Sequence, residues 1–305
     1  EYIEGVVRRV DRKLIARAGF TTILDCANGA TSVTSPYILE KLGCRVITLN
    51  ASPQGTFPGH DSEPKPENLT QLINAVKDFG ADFGVAHDGD GDRTIFIDEN
   101  GYYVHGDRTL ALVAREIVEN KNGGIVVTGV SSSQVLEDVV KEAGGEVIYT
   151  RVGSPVVARK MMDVGAVFGG EENGGLIFPE HQYCRDGAMA MAKVIEIMAK
   201  YDEKLSSLIS KLPRYWQKKI SVPCPDGLKL PLMENLKKKL EGVGERMITI
   251  DGVKIFFKNG WVLIRPSGTE SIVRIYAESK SEDRVNRIVD DYKKVVEEEI
   301  SLLRG

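Results

Sequence analysis

From residue 21 the chain alternates short apolar runs with amphipathic stretches, each closed by a turn residue. "TTILDCANG" predicts a buried strand ending in a turn, "TSPYILEKLG" a helix closed by Gly43, and "CRVITLN" the next strand. "PENLTQLINAVKDFG" predicts a helix opened by Pro66 and closed by Gly80, because proline suits a first turn and glycine a left-handed cap. "DFGVAHD" is another apolar strand, and "RTIFIDENGYYV" a hairpin turning at Glu99, Asn100 and Gly101. The rhythm then restarts. "RTLALVAREIVEN" reads as a helix, "GGIVVTG" as a strand, "SSSQVLEDVVKEAGG" as a helix, "EVIYTRVG" as a strand and "SPVVARKMMDVG" as a helix. "AVFGGEENGGLIFPE" follows as strand, tight loop and strand, and Asp186 to Leu212 as one long helix stopped by Pro213.

Beyond Pro213 strand-like runs bunch together ("KISVPCP", "RMITIDGVKIFFKNGWVLIRPS", "SIVRIYAES") before a closing helix from about Glu282. The expected fold is α/β: two consecutive α/β domains with mixed, mostly parallel sheets, then a C-terminal α+β domain with an antiparallel sheet. The expected boundaries are 1–102, 103–213 and 214–305.

Composition narrows the function classes. A chain of 305 residues with 42% hydrophobic content has length for two or three domains and apolar mass for their cores. A net charge of -4 without a basic block argues against nucleic acid, and no apolar run approaches a membrane span. Cys26, Cys44, Cys184 and Cys224 are scattered without metal-ligand spacing, as expected of reduced thiols in a cytoplasmic protein. The chain opens at Glu1, without methionine, inside a helical pattern, so further sequence upstream is expected.

Three loops carry candidate chemistry. In "HDGDGDRTIFIDENG" (87–101), Asp88, Asp90 and Asp92 alternate with glycines that let the backbone curl and the carboxylates converge. Crowded carboxylates call for a cation, and oxygen-only donors favour Mg²⁺ or Ca²⁺. An EF-hand reading places Asp88, Asp90, Asp92 and Glu99 at positions 1, 3, 5 and 12. It fails at position 6, where Arg93 replaces the required glycine. Arg93 beside a cation suits a phosphoryl group that both can share. "GGEENGG" (169–175) presents Glu171, Glu172 and Asn173, whose carboxylates and amide suit sugar hydroxyls. "RPSGTES" (265–271) combines the fork of Arg265, the hydroxyls of Ser267 and Thr269 and the small Gly268 into an anion nest, with Arg274 as a second cation. Taken singly, each loop also reads as an ordinary polar turn.

In this order, and with "LDCANGATS" (24–32) and "FPGHDSEPKPENL" (57–69), the loops resemble the phosphohexomutases, the phosphomannomutase, phosphoglucomutase and phosphoglucosamine mutase superfamily, from about Tyr2 to the C-terminus. The resemblance implies domains two, three and four of a four-domain enzyme. Such an enzyme interconverts hexose 1-phosphate and hexose 6-phosphate through an active-site phosphoserine and a hexose 1,6-bisphosphate intermediate. It implies Asp88, Asp90 and Asp92 as ligands of Mg²⁺ and Arg93 beside the transferring group. It implies Glu171 and Asn173 as readers of sugar hydroxyls, and Arg265, Ser267, Gly268 and Thr269 as the clamp on the other phosphate. "TRVGSP" (150–155) matches a further cleft loop, placing Arg151, Gly153 and Ser154 toward the sugar.

The implied partner is a phosphosugar, with no nucleic acid and no membrane, and a homodimer as a candidate assembly. Glucose or mannose phosphate is the first expectation, because "GGEENGG" lacks the histidine that follows the glycine in many amino-sugar relatives; phosphoglucosamine is the alternative. Asn173 stands where many relatives carry serine, and Ser271 where proline is usual. The family's phosphoserine precedes a histidine, whereas the four histidines here follow Gly59, Ala86, Val104 and Glu180. Three other readings compete: a non-catalytic sugar-phosphate-binding module, a metal-dependent nucleotide-sugar transferase and a calcium-binding structural domain.

Overall fold

The structure, a computed structural model, describes residues 1–304, and its strands form three five-stranded sheets in chain order. The first contains β1 (Thr21–Asp25), β2 (Arg45–Leu49), β3 (Phe83–His87), β4 (Thr94–Asp98) and β5 (Tyr103–Val104), in spatial order β2-β1-β3-β4-β5. Here β1 runs parallel to β2 and β3, while β3–β4 and β4–β5 are antiparallel. The second sheet contains β6 (Gly124–Gly129), β7 (Gly145–Thr150), β8 (Phe168–Gly170), β9 (Leu176–Phe178) and β10 (Gln182–Arg185), ordered β10-β9-β8-β6-β7. It is also mixed, with β6–β8 parallel and β8–β9 and β9–β10 antiparallel. The third contains β11 (Trp216–Pro223), β12 (Arg246–Ile248), β13 (Val253–Phe257), β14 (Gly260–Pro266) and β15 (Ile272–Ser279), ordered β11-β15-β14-β13-β12 through antiparallel ladders.

Two compact units result: residues 1–128, 135–148 and 153–213 form one, and 129–134, 149–152 and 214–304 the other. In the first, β3 and β4 are buried at every position, which is why they read as continuous apolar runs and not as alternation. The helix Thr70–Phe79 seats Leu72 and Val76 against Ile23, Ala86, Ile95 and Ile97, and Gly80 closes it in the left-handed conformation. Among the described residues no helix is long and apolar enough to cross a membrane.

Two local expectations are corrected. The single helix over 186–212 is two, Gly187–Tyr201 and Leu205–Ser210, because Asp202 takes a left-handed φ of 51° and ends the first. A helix over Asp226–Lys239 was not foreseen, since Pro231 lies inside it. Burial of Leu232, Met233 and Leu236 in the core of the second unit outweighs the roughly 3 kcal/mol that an interior proline costs.

The second unit also encloses two ionisable side chains. Lys254 is fully buried, donating to the carbonyls of Val130 (2.7 Å) and Ser132 (3.1 Å), with Nζ 4.0 Å from the Trp261 ring centre. Glu278, equally buried, accepts from Trp261 Nε1, Gln217 Nε2 and the Gln134 amide at 2.7–2.8 Å. Such groups are tolerated inside only when their hydrogen-bonding capacity is filled in this way.

Candidate active site

The acidic loop turns from the end of β3 back into β4. Asp88 is only 1% exposed. Its Oδ1 accepts the backbone N–H groups of Gly91 (3.0 Å) and Arg93 (3.1 Å), and its Oδ2 accepts Arg93 Nε at 2.5 Å. Asp88, Asp90 and Asp92 each offer an oxygen within 4.8 Å of the others'. Asp92 Oδ1 is buried without a hydrogen-bond partner, Arg93 Nε standing 3.9 Å away, a costly condition for a carboxylate oxygen, so the donor set fits a hard divalent cation between the three. The flanking strands rule against an EF-hand, and Glu99 turns elsewhere, accepting from the amide of Ser206 at 3.3 Å.

Neighbouring segments wall this loop in. Ala30 N–H donates to Gly89 O (3.0 Å), Gly187 N–H to Gly91 O (3.1 Å), and Thr94 N–H to Gly174 O (3.1 Å). A Cβ on Gly29 would stand 2.3 Å from Gly89 O, and one on Gly187 would stand 2.6 Å from both Gly91 O and Thr94 Oγ1. Glycine at these places is therefore a packing requirement. From the 57–69 loop, Glu63 approaches Arg93 Nη1 at 3.8 Å, and His60 Nε2 lies 3.2 Å from Asp25 Oδ2 at the end of β1. His87 is fully buried, and burial pushes its pKa down to about 4, so the ring is neutral. Thr94 Oγ1 donates to Gly187 O (2.8 Å) and so accepts the Nδ1–H of His87 (2.9 Å); His87 Nε2 then accepts the hydroxyl of Ser35 (3.0 Å). That chain pins the residue immediately before Asp88.

The glutamate loop meets the acidic loop through one side chain that sequence reasoning missed. Glu171, 3% exposed, accepts Gly153 N–H through Oε1 (2.8 Å) and Arg185 Nη1 through Oε2 (3.0 Å). Burial raises its pKa above the ordinary carboxyl range, against the pull of those two donors. Arg185 also places Nε (2.9 Å) and Nη2 (2.5 Å) on Asp92 Oδ2. A line of contacts thus runs from Gly153 through Glu171 and Arg185 to Asp92. Asn173 is exposed, its amide oxygen accepting Gly175 N–H at 3.2 Å. Gly153, at φ 133°, precedes the helix Ser154–Val164 and sets Ser154 at its head.

The remaining candidates lie in the second unit. Arg265 and Arg274 are directly opposed across β14 and β15, a like-charged pairing that an intervening anion would relieve. Arg265 donates to Asp251 Oδ2 (3.0 Å) while its Nε is buried and unpartnered; Arg274 pairs with Glu270. Ser267 is buried, and its hydroxyl accepts the amides of Thr269 (3.4 Å) and Glu270 (3.2 Å), so it shapes the loop. Lys229 secures the turn through the carbonyls of Ser267 and Glu270 at 2.7 and 2.6 Å. Gly268 and Thr269 are exposed at the tip. Arg185, Asp251 and Lys229 carried no motif; the sequence offered only a lone arginine heading "RDGAMAM", an aspartate in a turn and a lysine on an unforeseen helix.

Comparison with known proteins places this geometry. Models of domains II, III and IV of phosphoglucomutase/phosphomannomutase match residues 1–101, 105–215 and 220–295. A phosphoglucomutase/phosphomannomutase of Thermococcus kodakarensis is 44% identical over 97% of this chain, and a probable phosphoglucosamine mutase of Methanopyrus kandleri 41% identical over 95%. The chain spans 65% and 64% of their respective lengths. The crystal structure of a phosphoglucomutase/phosphomannomutase family protein from Burkholderia thailandensis superposes with a TM-score of 0.88 at 27% identity, over 98% of this chain and 64% of that one. The chain belongs to the phosphoglucomutase/phosphomannomutase family, and contains its domains II, III and IV.

Proposed function

We propose that this chain forms the metal-binding, sugar-reading and phosphate-clamping part of a cytoplasmic hexose-phosphate mutase, an isomerase that moves a phosphoryl group between the 1- and 6-positions. The observation that carries the reading is the orphaned Asp92 Oδ1 among three converging aspartates, with Arg93 alongside and Glu171 tied to the same cluster through Arg185. Asp88, Asp90 and Asp92 would hold Mg²⁺, which when bound supplies Lewis-acid charge neutralisation at the transferring phosphoryl group. Arg93, held against Asp88, presents its guanidinium beside that position. Glu171 and Asn173, with Gly153 and Ser154 nearby, orient the sugar. Arg265, Ser267, Gly268, Thr269 and Arg274 bind the phosphate that does not react, and that remote binding energy positions the reacting hydroxyl. The phosphoserine comes from outside these 305 residues, and hexose 1,6-bisphosphate is the intermediate.

Glucose or mannose phosphate is the first substrate class, in keeping with the name of the Thermococcus kodakarensis relative. An amino-sugar phosphate is the second reading, favoured by the Methanopyrus kandleri and Methanosarcina barkeri relatives, both named probable phosphoglucosamine mutases. The test is calorimetry of this chain with glucose 1,6-bisphosphate, with and without Mg²⁺. Turnover of glucose, mannose and glucosamine 1-phosphates by the whole polypeptide then ranks the sugars. Binding of neither Mg²⁺ nor bisphosphate would overturn the reading.

A further inference from the structure

Arg185 is the cation placed between the two acidic loops of the first unit, and nothing in the reading above gives it a task. It ends β10, and its neighbour Asp186 fixes the backbone there. Asp186 caps the helix Gly187–Tyr201 through Met189 N–H (2.8 Å) and accepts from Tyr2 (2.7 Å) and Gln182 (2.9 Å). The stem of Arg185 crosses Gly175, where any Cβ would stand 2.1 Å from Arg185 Cδ. The last glycine of "GGEENGG" thus makes room for this one side chain. Two of the guanidinium nitrogens hold Asp92 Oδ2, the third holds Glu171 Oε2, and Asp92 Oδ1 is left over for a cation.

We propose that Arg185 is a positioning residue that serves as a shared internal counter-ion. It fixes Asp92 with one oxygen toward the metal and holds Glu171 in the orientation that meets the sugar. It trades some cation affinity for phosphosugar affinity. The trade follows from charge. A guanidinium on Asp92 competes with a divalent ion for the same carboxylate, yet it adds a positive charge and an ordered Glu171 to the place where an anionic sugar must settle. This inference rests on the phosphosugar reading, and its two arms separate the two.

The experiment titrates this chain, its R185Q variant and its R185K variant with Mn²⁺ alone, and then with glucose 1,6-bisphosphate at saturating Mn²⁺. R185Q should bind Mn²⁺ at least roughly threefold more tightly, because a competing cation is gone, and the bisphosphate at least roughly tenfold more weakly. R185K keeps the charge and loses the fork, so its Mn²⁺ affinity should return to the wild-type value while bisphosphate binding recovers only in part. Parallel weakening of both ligands in R185Q would reduce Arg185 to a structural strut and overturn the proposal, as would unchanged bisphosphate affinity. If the wild-type chain fails to bind bisphosphate, the phosphosugar reading falls, and the Mn²⁺ arm alone decides Arg185: unchanged affinity in R185Q overturns the counter-ion.

Discussion

The acidic loop at 88–93 and the loop at 265–271, the clamp of the proposed function, both gather charged side chains, but they are built differently. The first is encased. Its backbone is hydrogen-bonded to the 24–32 loop and to the head of the helix Gly187–Tyr201, the adjoining Thr94 of β4 to the glutamate loop, and glycines at 29 and 187 sit where a methyl group would collide. The second is open at its tip: Gly268, Thr269 and Glu270 are exposed, and a Cβ on Gly268 would meet no heavy atom within 4 Å. Groups that must stabilise charge during reaction gain from preorganisation, whereas groups that capture a ligand need an approach path. The same residue type, glycine, therefore serves close packing around the first loop and leaves open space at the tip of the second.

The largest expected effect removes a centre of the encased loop. Asp88→Asn deletes a carboxylate that holds two backbone N–H groups and the Arg93 fork. Loss of about 2 kcal/mol of stability is expected, as for other buried charge-assisted bonds, together with loss of measurable Mg²⁺ binding. Urea melts and calorimetry check both, and Mg²⁺ binding that survives intact would refute the three-aspartate site. Asp90→Asn, at the exposed member of the set, isolates the metal role: under the proposed function it should abolish mutase turnover in the whole polypeptide while leaving the urea midpoint in place.

Next comes Gly187→Ala, which touches no ligand. Its methyl would stand 2.6 Å from Gly91 O and Thr94 Oγ1 and 2.8 Å from His87 Nδ1. Overpacking of this kind costs typically about 1–3 kcal/mol, and here it would also displace the acidic loop, so Mn²⁺ affinity should fall together with stability. If Gly187→Ala melts like wild type, the encasement is softer than the contrast between the loops requires.

These effects also mark how far the sequence alone could reach. The elements were legible wherever the apolar pattern was clean, as in the continuous buried run of β3 or the Gly80-capped helix before it. The acidic and clamp loops were legible because their residues are contiguous: "DGDGD" and "RPSGTES" carry their chemistry within a few positions. Arg185 was not, because its partners Asp92 and Glu171 lie 93 and 14 positions away and only the fold brings them together. The helix over Asp226–Lys239 was hidden by Pro231, a local signal that tertiary burial overrides. The serine at 271, where proline was expected, finds a use: its hydroxyl donates to Asp226 at 3.2 Å, tying the clamp loop to the start of that same helix.

Arg265→Ala probes the clamp itself. Its guanidinium has one nitrogen on Asp251 and another buried without a partner, poised for an anion. Removing one charge-assisted contact should weaken glucose 1,6-bisphosphate binding by about 2 kcal/mol, roughly 30-fold, with Mg²⁺ affinity unchanged. Equal bisphosphate affinities in variant and wild type would defeat the clamp assignment.

The smallest effect is the sharpest test of the contrast. Gly268 lies outside the left-handed region and has open space where a side chain would stand, so Gly268→Ala should leave stability within about 0.5 kcal/mol of wild type. If the glycine is there so that a phosphate can approach the backbone, the added methyl occupies that path, and bisphosphate affinity should drop by roughly three- to tenfold while the melting curve stays in place. Gly187→Ala and Gly268→Ala are then mirror images, one losing stability and metal together, the other losing ligand alone. Should Gly268→Ala bind bisphosphate as wild type does, the anion does not reach the loop's tip. Recognition would then reside in the opposed pair Arg265 and Arg274, beneath the tip, and the openness of this loop would serve something other than phosphate capture.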